Sequence, residues 1–342
     1  MIIFLGVEMK KRLLWSLKAV LALLISFILL TVFCHFYYNL PVHHTSKTGS
    51  TDRIWDSNGI SIRGNEGFAL SKLDENGFVN SYTAENKDID VLVMGSSHTE
   101  GFNVDTDENY TYVLNKMLDE SGAGIFAYNI GMSGHPMVRC FRNLEAAVDE
   151  FKPAKYVTIE TSNLDTSLTE LIDLSEGDYE RLVSVDKGLI SLLQKNDYLR
   201  LMYSQLENAL KQGDNTSESL PLEEDIDAYR VYLEEMLENG AEICAKAGVE
   251  LIIIYKPDLV IDYNGKVEKE ILNEKDVIFL ELADKYGIKV LDMYSPFAEY
   301  YNETARLPNG FSNTKVGTGH LNVYGHRVIA KELFDSITEV EG

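Results

Sequence analysis

Cysteine is scarce in this 342-residue chain: Cys34, Cys140 and Cys244 are too few and too scattered for a disulfide framework. A domain that avoids cysteine is compatible with export to a bacterial envelope. Basic charge is also short, with 31 Lys and Arg against 54 Asp and Glu and a formal net charge of −23. Residues 1–44 hold four Lys/Arg and one Glu, net +3, so the remainder carries −26. So acidic a domain, with no local basic patch, argues against nucleic acid as a partner. No helical HxxxH and no Cys/His ligand spacing is present, so a zinc site built on His98, His135 and His320 is not expected. No cofactor is expected either. Internal repeats are lacking, which excludes a solenoid or propeller.

Against those absences stands one long apolar run. Lys10, Lys11 and Arg12 precede Leu13 to Tyr38, and Ala19 to Phe36 is almost wholly apolar. That length can cross about 30 Å of hydrocarbon, with Lys18 reaching back towards the head groups. The run is too long for a signal-peptide core, and no small-x-small cleavage site follows it. The reading is an uncleaved anchor with residues 1–12 cytoplasmic, 13–38 in the membrane and everything after about residue 40 outside.

Residues 39–85 are polar and show little periodicity, and are expected to form a stalk followed by a lead-in on the domain surface. From 86 to 342 strands and helices alternate. Strands are expected at Val91–Met94, Gly124–Ile130, Tyr156–Glu160, Glu250–Tyr255 and Ile288–Leu291. Helices are expected at 107–120, 136–151, 222–247, 267–286 and 323–337. Such alternation implies a parallel sheet covered on both faces. Residues 166–220 are surplus to that unit and read as a helical insertion forming one wall of the site.

In an open parallel sheet, ligands bind beyond the carboxyl ends of the strands. The residues there include Ser96-Ser97-His98, Gly131-Met132-Ser133-Gly134, Thr161-Ser162-Asn163 and Asp292. A serine at the corner after Val91–Met94 projects its hydroxyl above the sheet, beside backbone N–H groups able to hold an oxyanion. Read alone, such a corner is equally a plain strand-to-helix turn with Ser97 as a helix cap.

Four blocks taken together, GSSHTEG at 95–101, NIGMSG at 129–134, TSN at 161–163 and GHLNVYGH at 319–326, resemble those of the SGNH (GDSL-type) hydrolases. They stand in that family's order. The resemblance covers roughly residues 86–338 apart from the insertion. It implies a flavodoxin-like three-layer α/β/α sandwich with a five-stranded parallel sheet, in agreement with the strand–helix alternation. It also implies Ser97 as nucleophile, His320 as general base, and an oxyanion hole from the N–H groups of Ser97 and Gly134 with the Asn163 side chain. His98, His135 and Asn322 lie near the expected mouth as substrate contacts; Asn322 equally shapes the turn before the last helix, and His326 reads as structural.

Two positions depart from the family. Ser96 stands where it has aspartate, and Gly317 stands three residues before His320, where it has the triad aspartate. Between Asn302 and His320 the one carboxylate is Glu303. Three outcomes follow: a Ser–His dyad, a carboxylate supplied from another loop (Asp292 or Glu160), or a weakened relative. The expected function is a membrane-anchored extracytoplasmic esterase or acyl transferase acting on O-acyl groups of envelope polysaccharide. The alternative is a non-catalytic protein using the same cleft to bind a glycan or a biosynthetic partner.

Overall fold

The computed structural model describes residues 2–41, 43–81, 87–162, 164–176, 196–214, 225–268, 272–315 and 317–338. The chain divides into two compact units, residues 1–39 with 184–218 and residues 40–183 with 219–342.

In the smaller unit, helix Ile2–Tyr37 contains a stretch, Lys10–Tyr37, that is long and apolar enough to cross a membrane, with mean hydropathy 2.6 in its most apolar window. Helix Asp197–Asp214 packs against it. Phe27 meets Tyr198 edge-on, and Thr31 exchanges hydrogen bonds with Asn196. This part of the 166–220 insertion therefore belongs to the unit of the long apolar helix, whereas Leu168–Glu176 packs in the larger one. Residues 177–195 and 215–224 of the insertion lie outside the described residues.

The larger unit begins with two short antiparallel hairpins, β1 (His43–Thr45) with β2 (Arg53–Trp55) and β3 (Ile60–Arg63) with β4 (Ala69–Lys72). The segment expected to be a stalk and surface lead-in is thus folded structure. Trp55, Leu73, Phe78 and Val79 are buried in the main core, and their apolar area is what fixes it there.

Five parallel strands follow: β5 (Val91–Met94), β6 (Ala127–Asn129), β7 (Tyr156–Ser162), β8 (Glu250–Lys256) and β9 (Lys289–Asp292). Their spatial order is β9-β8-β7-β5-β6. Counting sheet strands in chain order, this is the flavodoxin-like arrangement 2-1-3-4-5, whose topological switch lies between β5 and β7. Residues alternate between two apolar layers. Leu92, Tyr128, Val157 and Ile253 face helices Met137–Phe151, Ile226–Ala247 and Glu274–Lys285, while Val91, Val93, Ile252 and Ile254 face helices Tyr110–Ser121 and Val323–Thr338. Near-continuous apolar strands follow from burial on both faces.

Helix boundaries differ from the sequence expectation in two places. The segment 107–120 breaks at Asn109, whose side chain caps Tyr110–Ser121 by accepting the Thr111 amide. The segment 267–286 starts only at Glu274, behind a capping box of Asn273 and Asp276. An unexpected helix, Tyr294–Thr304, follows β9.

Candidate active site

Strand β5 is wholly buried and ends at Met94, and Gly95 follows it. A Cβ at Gly95 would lie 2.1 Å from Thr99 Oγ1 and 2.9 Å from Glu160 Cβ, so only glycine lets the chain turn this close to β7. Ser96 then caps the one-turn helix Ser97–Glu100, its Oγ accepting the His98 amide. Ser96 also donates its N–H (3.0 Å) and its hydroxyl (2.7 Å) to Glu160, which Thr99 joins at 3.3 Å. Glu160 is 1% exposed, and these three bonds satisfy it in place. Its task is to fasten the elbow.

The elbow presents Ser97 Oγ 2.9 Å from His320 Nε2. His320 is carried on a loop tied at several points: Gly310 N–H donates to the His320 carbonyl, Asn322 N–H to the Pro308 carbonyl, and Asn309 Nδ2 to the Gly319 carbonyl. The other ring nitrogen, Nδ1, lies 2.6 Å from Glu66 Oε2, and the His320 backbone N–H donates to Glu66 Oε1 at 2.8 Å. One carboxylate thereby holds both the ring and the backbone of the histidine.

Glu66 sits in the connection between β3 and β4, in the segment read from sequence as a surface lead-in. Asn313 grips that connection from the far end of the chain, accepting from the Gly67 amide at 2.7 Å and donating to the carbonyls of Gly64 and Gly67. Asn103 donates to the Glu66 carbonyl. Burial raises the Glu66 carboxyl, but hydrogen bonds from the His320 ring and amide, with the nearby His320 and Arg63 charges, outweigh it and hold the group below its usual range.

Neither sequence candidate for this position occupies it. Glu160 is committed to Ser96 and Thr99. Asp292 accepts the Tyr294 amide at the entry to the following helix, and its strand β9 is three strand spacings from β5, about 14 Å. Gly317 has φ +76°, a left-handed conformation, with Leu307 Cδ1 3.0 Å from where a Cβ would stand. Glu66 was missed because no local pattern ties it to a histidine 254 residues away. The available signal was a glycine-flanked turn, Gly64-Asn65-Glu66-Gly67, between two short alternating runs, which reads as a hairpin and no more.

The second block forms the neighbouring loop. Asn129 is fully buried; its Oδ1 accepts the Gly131 amide and its Nδ2 donates to the Thr99 and Val79 carbonyls. The Met132 amide donates to the Gly95 carbonyl, the Ser133 amide to Glu100, and the His135 amide to the Met132 carbonyl. Between them Gly134, at φ +80°, has an amide bonded to no acceptor among the described residues, and a Cβ there would meet nothing within 4 Å. The expected third donor, Asn163, lies outside the described residues.

The remaining candidates are mostly structural. His98 Nδ1 accepts the Leu321 amide at 3.2 Å, and its ring lies 5.3 Å from that of His320. Burial, then the charges of Lys256, His320 and His326, push His98 well below its ordinary value, so it is neutral with its proton on Nε2. His135, expected at the mouth, is 3% exposed and faces Asp52 at 3.2 Å, which removes it from substrate reach. Asn322, also expected to contact substrate, donates to the Leu307 and Gly310 carbonyls and accepts the Tyr324 amide, so it closes the His320 loop instead. His326 is buried, accepts the Tyr110 amide and is pushed down to about 3, chiefly by burial.

No family model and no curated protein matches the sequence. Among solved structures the chain is similar to LAE5, an alpha/beta hydrolase enzyme from the metagenome of Lake Arreo, at 16% identity and TM-score 0.41, covering 72% of this chain and 94% of that one. It is similar also to a putative GDSL-like lipase from Parabacteroides merdae (15%, TM-score 0.41, 74% and 96%). A third is an acetyl xylan esterase from Geobacillus stearothermophilus (16%, TM-score 0.37, 72% and 93%).

Proposed function

We propose that this chain is a serine ester hydrolase or O-acyl transferase working through Ser97, His320 and Glu66. The observation that carries the reading is the unbroken line from Ser97 Oγ through the His320 ring to the Glu66 carboxylate, at 2.9 and 2.6 Å. A serine hydroxyl becomes a competent nucleophile when an imidazole takes its proton, and the imidazole does so only with its own proton held on the far nitrogen. Glu66 holds it there.

In the first half-reaction Ser97 Oγ bonds to the ester carbonyl carbon while its proton passes to His320 Nε2. The oxyanion is received by the N–H groups of Ser97 and Gly134 and by Asn163. The tetrahedral centre collapses, the ester C–O bond breaks, and His320 returns the proton to the departing alkoxide. Water then cleaves the acyl-serine in a hydrolase, and an acceptor hydroxyl does so in a transferase. Glu66 stays ionised throughout.

The apolar Lys10–Tyr37 helix supports a single membrane pass with Lys10, Lys11 and Arg12 on the cytoplasmic side. An ester-cleaving domain tethered outside the membrane meets acylated envelope glycans, so acetyl-type O-acyl groups of such a polysaccharide are the proposed substrate. The non-catalytic alternative rests on Gly317 standing in place of the triad aspartate, and the Glu66 carboxylate at His320 Nδ1 counts against it.

The test is fluorophosphonate labelling of the full chain in detergent beside Ser97→Ala and His320→Ala. Labelling lost in Ser97→Ala and weakened in His320→Ala is expected; a folded parent that stays unlabelled would sink the esterase reading.

A further inference from the structure

The N–H of Gly134 belongs to the peptide unit Ser133–Gly134; this unit and the one before it are held by two side chains, Arg53 from the first hairpin and Glu100 from the turn after Ser97. Arg53 Nη2 donates to the Ser133 carbonyl oxygen at 2.6 Å. In a trans peptide the C=O and the following N–H point in opposite directions. A guanidinium fixed on the Ser133 carbonyl therefore fixes the direction of the Gly134 N–H. Its charge also polarises that amide, which makes the N–H a stronger donor.

The preceding N–H is fixed as firmly. Glu100 Oε2 accepts both the Ser133 amide, at 3.0 Å, and the Ser133 hydroxyl, while its Oε1 accepts Trp55 Nε1 at 2.7 Å. Glu100 is 1% exposed and stands one helical turn after Ser97. The Arg53 guanidinium lies 5.0 Å over the Trp55 ring, which closes the circuit Arg53–Trp55–Glu100–Ser133. With the amides of Gly131, Met132, Ser133 and His135 all committed to acceptors, the loop offers the Gly134 N–H to an incoming oxyanion.

We propose that Arg53 and Glu100 are positioning residues for the oxyanion hole: they clamp the Ser133–Gly134 peptide so that the Gly134 N–H is aimed before substrate arrives. This rests on the serine-esterase reading above. A preorganised donor acts on the charge that develops at the transition state, so its loss falls on kcat, with KM little changed. Displacing such a group by about an ångström lowers the rate on the order of a hundredfold.

The experiment uses the full chain in detergent with p-nitrophenyl acetate and a fluorophosphonate. The variants are Arg53→Met, Arg53→Lys, Glu100→Gln and Ser133→Ala, with melting temperature checked for each. Arg53→Met is expected to lower kcat roughly 10- to 100-fold while KM moves less than about threefold. Phosphonylation should slow in step, since its phosphoryl oxygen occupies the same hole. Arg53→Lys should recover part of the loss, and the pH profile of kcat/KM should keep its shape, because Ser97, His320 and Glu66 are untouched. Glu100→Gln places an amide NH₂ against either Ser133 or Trp55 and should behave like Arg53→Met. Should it not fold, Ser133→Ala, which deletes one bond to Glu100, carries the same test with a smaller loss. Folded Arg53→Met and Ser133→Ala proteins with parental kcat and labelling rate overturn the clamp while leaving the esterase reading intact. A parent that is never labelled overturns both.

Discussion

Replacing Glu66 by glutamine separates a triad from a dyad more sharply than deleting the side chain. The carboxylate accepts twice from His320, from the backbone N–H at 2.8 Å and from ring Nδ1 at 2.6 Å. Glutamine offers one acceptor and one NH₂. The backbone N–H can only donate, so it claims the amide oxygen and leaves NH₂ facing Nδ1. Nδ1 must then accept, and the ring proton moves to Nε2, opposite Ser97 Oγ, where a base is required. Restoring the productive tautomer opposes two donors, a cost of about 1–3 kcal/mol. Loss of the carboxylate beside the imidazolium adds about 4 kcal/mol at an effective dielectric near 20. Halving this for solvent screening is reasonable, since Glu66 is 18% and His320 29% exposed. The sum is about 3–5 kcal/mol, or roughly 10²- to 10⁴-fold in rate. Glu66→Ala loses only the second contribution, because water can fill the gap and accept from Nδ1, so its deficit is roughly 30-fold. The assay is kcat/KM for p-nitrophenyl acetate on the full chain in detergent, with melting temperatures alongside. Glutamine should be the worse substitution. A Gln variant as active as the Ala variant, or both within threefold of the parent, would refute the reasoning.

Three further outcomes are expected. Asp52 is 8% exposed and binds Arg139, Arg142 and His135, Arg139 itself being 2% exposed. Asp52→Asn strands the buried guanidinium and should cost about 3–5 kcal/mol in urea unfolding. Burial raises the Asp52 carboxyl, but His135 and the two arginines win and hold it below its ordinary 3.8. A depressed carboxyl stabilises the fold above its unfolded value and loses that contribution as pH falls towards the folded one. Below about pH 4 the parent should therefore lose stability more steeply than Asp52→Asn, by up to about 1.4 kcal/mol per pH unit, and equal slopes would contradict the assignment. Gly317→Asp in the Glu66→Ala background places an aspartate where the SGNH pattern has one. At φ +76° and against Leu307 it should restore no activity; recovery towards the parental rate would show that the loop can deliver that carboxylate after all.

Much of the fold was legible because its strands are buried on both faces. Val91–Met94, Tyr156–Glu160 and Glu250–Tyr255 are apolar runs too short to be helices, and their separation by helical segments leaves little choice but a parallel sheet. Ser97 and His320 were legible because each lies in a short block, 95–101 and 319–326, that resembles the SGNH pattern, whereas the residues that hold them, Glu160, Asn309 and Glu66, lie elsewhere in the chain. The first hairpins were not. In β3 and β4 the usual alternation is inverted: Ser61 and Ser71 are fully buried while Ile60 and Leu70 are 47% and 40% exposed. An amphipathic pattern read from that stretch points to the wrong face, and strands of three or four residues give periodicity little to work on. Helix Tyr294–Thr304 was missed for a related reason, since Tyr, Asn and Thr are weak helix formers and packing of Phe297 decides the matter.

Chemistry does not require the third member of a triad to come from the histidine's own loop. It requires an acceptor at Nδ1, fixed before the proton moves, and any rigid element reaching that point will serve. The left-handed turn at Gly317 leaves no carboxylate on the loop, and the β3–β4 connection supplies one from the opposite end of the domain. The same N-terminal region supplies Arg53 to the Ser133 carbonyl, Trp55 to Glu100, and Asp52 to the helix that follows the Ser133–Gly134 peptide. Residues 52–66 thus reach both His320 and the loop that carries Gly134, the two sides of Ser97 to which the proposed mechanism assigns proton transfer and oxyanion binding. The region that composition alone marks as a tether is, on this geometry, where the otherwise ordinary α/β sandwich acquires the groups its elbow and histidine cannot provide for themselves.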